Sequence, residues 1–194
     1  MRLPSAARTG KLRPVIGCRI ETIEGLAFLA YPRNRKAYGR LCRLISAGRR
    51  ETLSGDWQGK GLCEISVAML AAHAEDVHLI LLPPDDLTHA FTLPDLRPNV
   101  VALDGSPLAG GDCSGDLEAL LPHLVRHLPG LGHIAASYAY RGDDVARIER
   151  LDALARAHGL GLLATNAVDY HAPECRPLQD VMTAIRHKTT VARA

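Results

Sequence analysis

Short apolar runs alternate along this chain with longer stretches in which apolar residues recur every three or four positions. That pattern predicts strands interleaved with amphipathic helices. Residues 14–20 (PVIGCRI) and 25–31 (GLAFLAY) read as two adjacent strands joined by the polar segment 21–24. Tyr38, Leu41, Leu44 and Ile45 then form an apolar stripe that predicts a helix over residues 33–47. Its other faces carry Arg35, Lys36, Arg40 and Arg43, and Arg49 and Arg50 extend the basic cluster. Such a helix suits phosphate contact, although charged outer faces are usually just solvated. Residues 51–61 read as a loop holding Gly55, Gly59, Gly61 and the single tryptophan, Trp57, whose ring is expected to cover an edge of the core. Ser66 is placed to cap a helix with Val67, Leu70 and Ala71 facing inward, and Val77–Leu82 reads as a buried strand that stops at Pro83-Pro84.

The second half is more uneven. Between residues 85 and 115, Pro94, Pro98, Pro107 and Gly110-Gly111 interrupt any period, leaving a strand over 99–103 as the readable element. Leu117–His127 reads as a helix with His123 and His127 one turn apart. Two imidazoles on one face suit a divalent metal, but the zincin pattern needs Glu after the first His, and Leu124 stands there. The pair therefore reads as a partly exposed helix face, and His73 and His78 as edge or packing histidines. Residues 133–140 predict a strand. Asp143 and Asp144 suit the positive start of a regular helix whose apolar side holds Val145, Ile148, Leu151, Leu154 and Ala155. Gly159 ends that helix, and residues 161–165 follow as a buried strand, completing a parallel βαβ unit. The strand delivers residues 166–170 to a rim, and Pro173 and Pro177 mark turns before Leu178, Val181, Met182 and Ile185 recur at helical spacing.

Composition narrows the class. With 194 residues, 47% hydrophobic and 23% charged, the chain has enough apolar side chain for one domain with its own core. Only 4% is aromatic, so Leu, Ile, Val and Ala must build that core, as α/β layering allows. A net charge of +2 is too small to predict a nucleic-acid surface by itself, so local basic clusters matter more. The five cysteines, Cys18, Cys42, Cys63, Cys113 and Cys175, lie far apart with no C-x-x-C pair, which argues against a disulfide framework or a zinc knuckle. No apolar run approaches the roughly 18 residues of a membrane span. A cytoplasmic protein without a membrane partner is expected.

Particular residue orders add a family. Ala164-Thr165-Asn166-Ala167, Tyr170-His171-Ala172-Pro173-Glu174, Arg176-Pro177-Leu178-Gln179-Asp180-Val181 and Ile185-Arg186-His187-Lys188, with PVIGCRI and AYGRLCRLISAGRR upstream, stand in this order. Together they resemble the PHP (polymerase and histidinol phosphatase) domain that opens bacterial C-family DNA polymerases similar to the DNA polymerase III alpha subunit, particularly the error-prone branch. The resemblance implies an α/β fold, an incomplete PHP-type (β/α)7 barrel lacking its first βα units. It also implies a single partial domain over residues 1–194, with a poorly matched, insert-like region at about 85–115.

The same resemblance bears on chemistry. Where the family motif has a metal-binding Asp this chain has Ala167, and where metal-competent relatives have the Glu of Gly-x-Glu it has Arg19. A methyl group and an obligate cation cannot ligate a metal. Asp169 and His171 remain and would hold at most one weak ion, and LLPPDD stands where metal-binding relatives place Cys or His. No cofactor and no complete active site are therefore expected, although the full-length family is a DNA-directed DNA polymerase. The first two βα units and the palm, fingers and template-binding module lie outside the matched sequence. The function implied is a non-catalytic structural or interaction module of an error-prone, translesion DNA polymerase acting in DNA replication and repair. The alternative is a PHP-type metal-dependent phosphoesterase or nuclease. Expected partners are the polymerase catalytic domain or other replication and repair proteins, DNA indirectly through Arg35, Lys36, Arg40 and Arg43, and a second copy through open barrel edges.

Overall fold

The computed structural model describes residues 14–52, 54–94, 112–166 and 170–193. In chain order the elements are β1 (Cys18–Glu21), β2 (Ala27–Pro32), α1 (Arg35–Arg50), α2 (Val67–His73), β3 (Val77–Leu82), β4 (Phe91–Leu93), β5 (Cys113–Gly115), α3 (Leu117–His127), β6 (Leu131–Ala136), α4 (Asp144–Ala157), β7 (Gly161–Ala164) and α5 (Arg176–Arg186). Single 3-10 turns at Pro173–Cys175 and Val191–Arg193 flank α5.

Five strands form one mixed sheet in the order β1-β2-β3-β6-β7, and β4 pairs with β5 in a separate two-stranded ribbon. β2 is antiparallel to both β1 and β3, while β3-β6 and β6-β7 are parallel. Four strands of the large sheet therefore run one way and β2 opposes them. The expected adjacency of the first two strands and the expected β6-α4-β7 crossover are both present. The architecture is mixed α/β, and the sheet is open.

Residues of opposite parity point to opposite faces of a strand. Phe28, Ala30, Leu79, Leu81 and Ile134 share one face and are buried in a single cluster with Leu41 and Leu44 of α1, Leu70 of α2, Leu120 and Leu124 of α3, and Leu151 and Leu154 of α4. Burying each of the Leu, Ile and Phe side chains among them contributes about 1.5–3 kcal/mol. On the other face Leu29, Tyr31, His78, His133 and Leu163 are only half-buried. Helices therefore cover one side of the sheet.

Local signals explain the helix starts. Asn34, Ser66 and Asp116 accept the backbone N–H of Ala37, Met69 and Ala119 at 2.9, 3.1 and 3.0 Å, the geometry of a side-chain N-cap. Gly130 is required by close approach, because a Cβ there would collide with the Val77 carbonyl oxygen where β3 begins.

Several expectations are corrected. Tyr38 is exposed, and Ala37 and Gly48 join Leu41 and Leu44 on the buried side of α1. Trp57 is 83% exposed, so its ring covers no core edge. The strand expected over 133–140 is Leu131–Ala136, because Tyr138 and Tyr140 already belong to an exposed loop with Tyr140 at φ 58°. Val145 points to solvent, and β7 is a half-buried edge strand. The strand expected over 99–103 lies outside the described residues.

Candidate functional site

Ligands of open α/β sheets are received in the crevice beyond the carboxyl ends of parallel strands. At that end of this sheet lies a cleft of about 390 Å3, lined by Arg19, Asp85, Ser137, Arg141, Asp144 and Arg147 among others. Arg19 comes from β1, Asp85 follows β3, Ser137 follows β6, and the remaining charged groups belong to α4 and the loop before it. Thr165 and Asn166, just past β7, close the far wall.

Asp144 organises this end of the molecule. It is 3% exposed, and its carboxylate accepts the backbone N–H groups of Ala139 (2.7 Å), Arg141 (2.7 Å) and Gly142 (3.3 Å). Burial works against its charge, but these donors outweigh burial and hold its pKa below the usual carboxylate value. The sequence assigned Asp144 only to the positive end of a helix dipole. Its hold on the preceding loop was not legible, because the partners are backbone groups that composition does not mark.

Arginines tie the β6-α4 loop to the segment after β3. Arg141 Nη1 donates to Asp85 Oδ1 at 2.9 Å, while Arg147 Nη1 donates to the Asp85 carbonyl at 2.7 Å and its Nη2 to the Pro84 carbonyl. Arg19, at the mouth, pairs with Glu21 at 2.7 Å in an exposed ion pair. The hydrogen bond and charge of Asp85 raise the Arg141 pKa. Guanidinium groups are donors with no lone pair to offer, Asp144 is committed to three amides, and Asp85 is committed to Arg141. The described side chains of this cleft do not fit a metal site, and among the described residues no three His, Cys, Asp or Glu side chains converge. Ala167 and Asp169 lie outside the described residues. His171 is exposed, with Nε2 3.9 Å from Cys175 Sγ.

The histidines singled out in the sequence pack against other groups. His78 and His133 meet edge-on with ring centroids 5.0 Å apart, and His123 and His127 are 4.7 Å apart on α3. Burial first, then His133 and Arg33, lower the His78 pKa. His73 Nδ1 lies 2.9 Å from the Met69 carbonyl. Burial and the neighbouring Cys42 push the Cys18 thiol up, away from the thiolate that nucleophilic chemistry needs.

The basic face of α1 is partly consumed. Arg40 pairs with the Glu75 carboxylate and donates to the Glu75 carbonyl at 3.2 Å. Arg35, Lys36 and Arg43 are exposed, and among the described residues none of them forms an ion pair. The four cations read as one group in the sequence thus divide into one structural tie and three surface charges. No helix of the described residues is long and apolar enough to cross a membrane.

No protein-family model matches the chain. Similarity to curated proteins is extensive. The error-prone DNA polymerase of Brucella abortus is 35% identical over 183 residues, which cover 94% of this chain and 14% of the relative. Error-prone DNA polymerase 1 of Agrobacterium fabrum is 34% identical over 194 residues, 100% of this chain and 15% of the relative. The error-prone DNA polymerase of Bradyrhizobium diazoefficiens reaches 40% identity over 185 residues, 93% of this chain and again 14% of the relative. The chain thus spans a small part of the length of the relatives it matches. Over nearly the whole of its sequence, then, the chain is similar to one segment of larger proteins named as bacterial error-prone DNA polymerases.

Proposed function

We propose that this chain is a non-catalytic structural and interaction module of the PHP type, which in a complete error-prone polymerase supports the polymerising domain during translesion synthesis in DNA replication and repair. The observation that carries this reading is the cleft at the strand ends. Its charged side chains are spent on one another and on the backbone: Arg141 on Asp85, Arg147 on the Pro84 and Asp85 carbonyls, and Asp144 on three amides. Groups so committed hold two loops together and are not poised as acid, base or ligand for hydrolysis. Arg19, Ala167 and Asp169 are degenerate metal positions in this reading.

An incomplete barrel over residues 1–194 is part of the same proposal. Four strands of one direction, helices on one face and an open opposite face support it, since a (β/α) barrel has helices outside and strand side chains inside. Arg35, Lys36 and Arg43, with the basic segment that follows α5, are the surfaces assigned to phosphate or protein contact.

The test is made on the purified chain. Metal content is determined by elemental analysis, and hydrolysis of a chromogenic phosphodiester is followed with manganese or zinc added. Binding to the polymerising portion of the Brucella abortus relative is measured alongside. Binding without metal-dependent hydrolysis supports the module reading. Stoichiometric metal together with turnover overturns it in favour of a phosphoesterase or nuclease.

A further inference from the structure

On the helix-free face of the large sheet, the backbone of β6 and β7 makes room for two imidazoles to meet. In the pairing of β3 with β6, Leu79 stands opposite Leu131 and Ile80 opposite His133, so Gly132 is an extra residue, a bulge. Bulges re-aim the side chains beside them. A Cβ built on Gly132 would come within 2.8 Å of His78 Cε1 and 3.3 Å of its Nδ1. On the next strand, a Cβ built on Gly161, the residue paired with His133, would come within 2.7 Å of His133 Cδ2 and 2.9 Å of its Nε2. Any larger residue at either position would displace an imidazole.

These contacts also give the rings a direction. In imidazole Nδ1 stands opposite the Cδ2–Nε2 bond, so with that bond against β7 His133 turns Nδ1 towards β3, the strand of His78. This Nδ1 is buried and has no hydrogen-bond partner among the described residues. A buried polar nitrogen in that condition calls for a bound water or ion. The two ring centroids are 5.0 Å apart. Imidazoles that share one metal through bonds of about 2.0–2.1 Å, at an angle of about 90–110°, hold their centroids about 4.5–5.2 Å apart. We infer that His78 and His133 are the two protein ligands of a divalent transition-metal ion, which clips β3 to β6 on the open face of the sheet. Water completes the coordination, since a groove of about 630 Å3 on this face reaches His78 and offers no carboxylate.

Charge selects the metal. Burial, then His133 and Arg33, favour the neutral form of His78, the form that ligates. Arg33 also opposes any cation, so the ion must be one that imidazole binds strongly, copper(II) before zinc, and not magnesium or calcium. Neither histidine lines the cleft beyond the strand ends. Metal held here without hydrolysis therefore leaves the module reading in place, and the inference does not depend on it.

The experiment titrates copper(II), and separately zinc, into the purified metal-free chain near neutral pH, followed by calorimetry and by amide NMR. The first copper(II) ion is expected to broaden the amide signals of His78, Gly132 and His133 before any others, and excess zinc to raise the melting temperature. His78→Gln and His133→Gln are each expected to weaken the first binding step at least about tenfold, since losing a ligand costs more than losing its outer support. His127→Gln, on α3, is expected to leave that step unchanged. Should a ligand variant fail to fold, the order in which amides of the wild-type chain broaden decides the matter. Failure to bind either metal overturns the proposal and makes the pair a packing contact. So does a first binding step that survives both ligand substitutions, or broadening that begins on α3 or around His171 and Cys175.

Discussion

Asp144 Oδ2 accepts the backbone N–H of Arg141 at 2.7 Å, and by this bond the first residue of α4 holds the loop that leaves β6. The same carboxylate reaches Ala139 and Gly142, and Gly142 sits at φ 95°, where only glycine is free of strain. Replacing Asp144 by Ala would deprive three partly buried amide bonds of their acceptor. Asp144→Ala is expected to lower the melting temperature by several degrees, and Asp144→Asn, which keeps one acceptor oxygen, by less. Thermal melts followed by circular dichroism check the order.

Acid should destabilise the fold in two steps. The folded pKa of His78 is lowered, so the unfolded chain binds its proton more readily. Stability from this group is therefore complete above the ordinary histidine value of about 6.5 and declines as pH falls towards the lower folded value. Asp144 also has a lowered folded pKa. Its contribution is complete above about 3.9 and is lost as pH falls through the folded value. Urea midpoints measured from pH 7.5 to 3 should fall in both windows, and His78→Gln should flatten the upper one alone.

Gly130→Ala is expected to cost about 1–3 kcal/mol, the range for overpacking a tight site. The added methyl would collide with the Val77 carbonyl, and the Gly130 carbonyl accepts the Leu79 N–H at 2.8 Å in the register that joins β3 to β6. Chemical denaturation of the variant checks the magnitude.

Trp57 gives a contrasting case. At 83% exposure its replacement by Phe is expected to change stability by less than about 0.5 kcal/mol. Its fluorescence should shift little on unfolding, so emission spectra of the native and urea-unfolded chain provide the check.

If the α1 face contacts phosphates, its cations should act unequally. Lys36→Glu and Arg43→Glu are expected to weaken duplex DNA binding and to reduce its salt dependence by about one unit of slope for each phosphate no longer neutralised. Arg40→Ala is expected to act mainly on the packing of α1 against the segment before β3, since its guanidinium is held by Glu75. Fluorescence anisotropy across a salt series, with a melt of each variant, separates the two effects.

Sequence alone determined most of the local order of this protein. Period and caps mark α2, β3, α3 and α4 closely, because Ser66, Pro83-Pro84, Gly159 and the regular spacing of Leu151 and Leu154 are local instructions. Residue order along the chain also carried its similarity to a segment of error-prone polymerase sequences. Tertiary structure alone decided which apolar residues are buried. Tyr38 and Val145 keep helical phase with buried neighbours yet face water, and α5 turns a complete apolar stripe outward, because periodicity defines a face without saying what covers it. Three-dimensional proximity also decided the roles of charges. Arg40 and Arg43 look equivalent in the sequence, but among the described residues only Arg40 of the two meets a carboxylate, and Asp144 became the clasp of a loop through amides that every residue but proline carries.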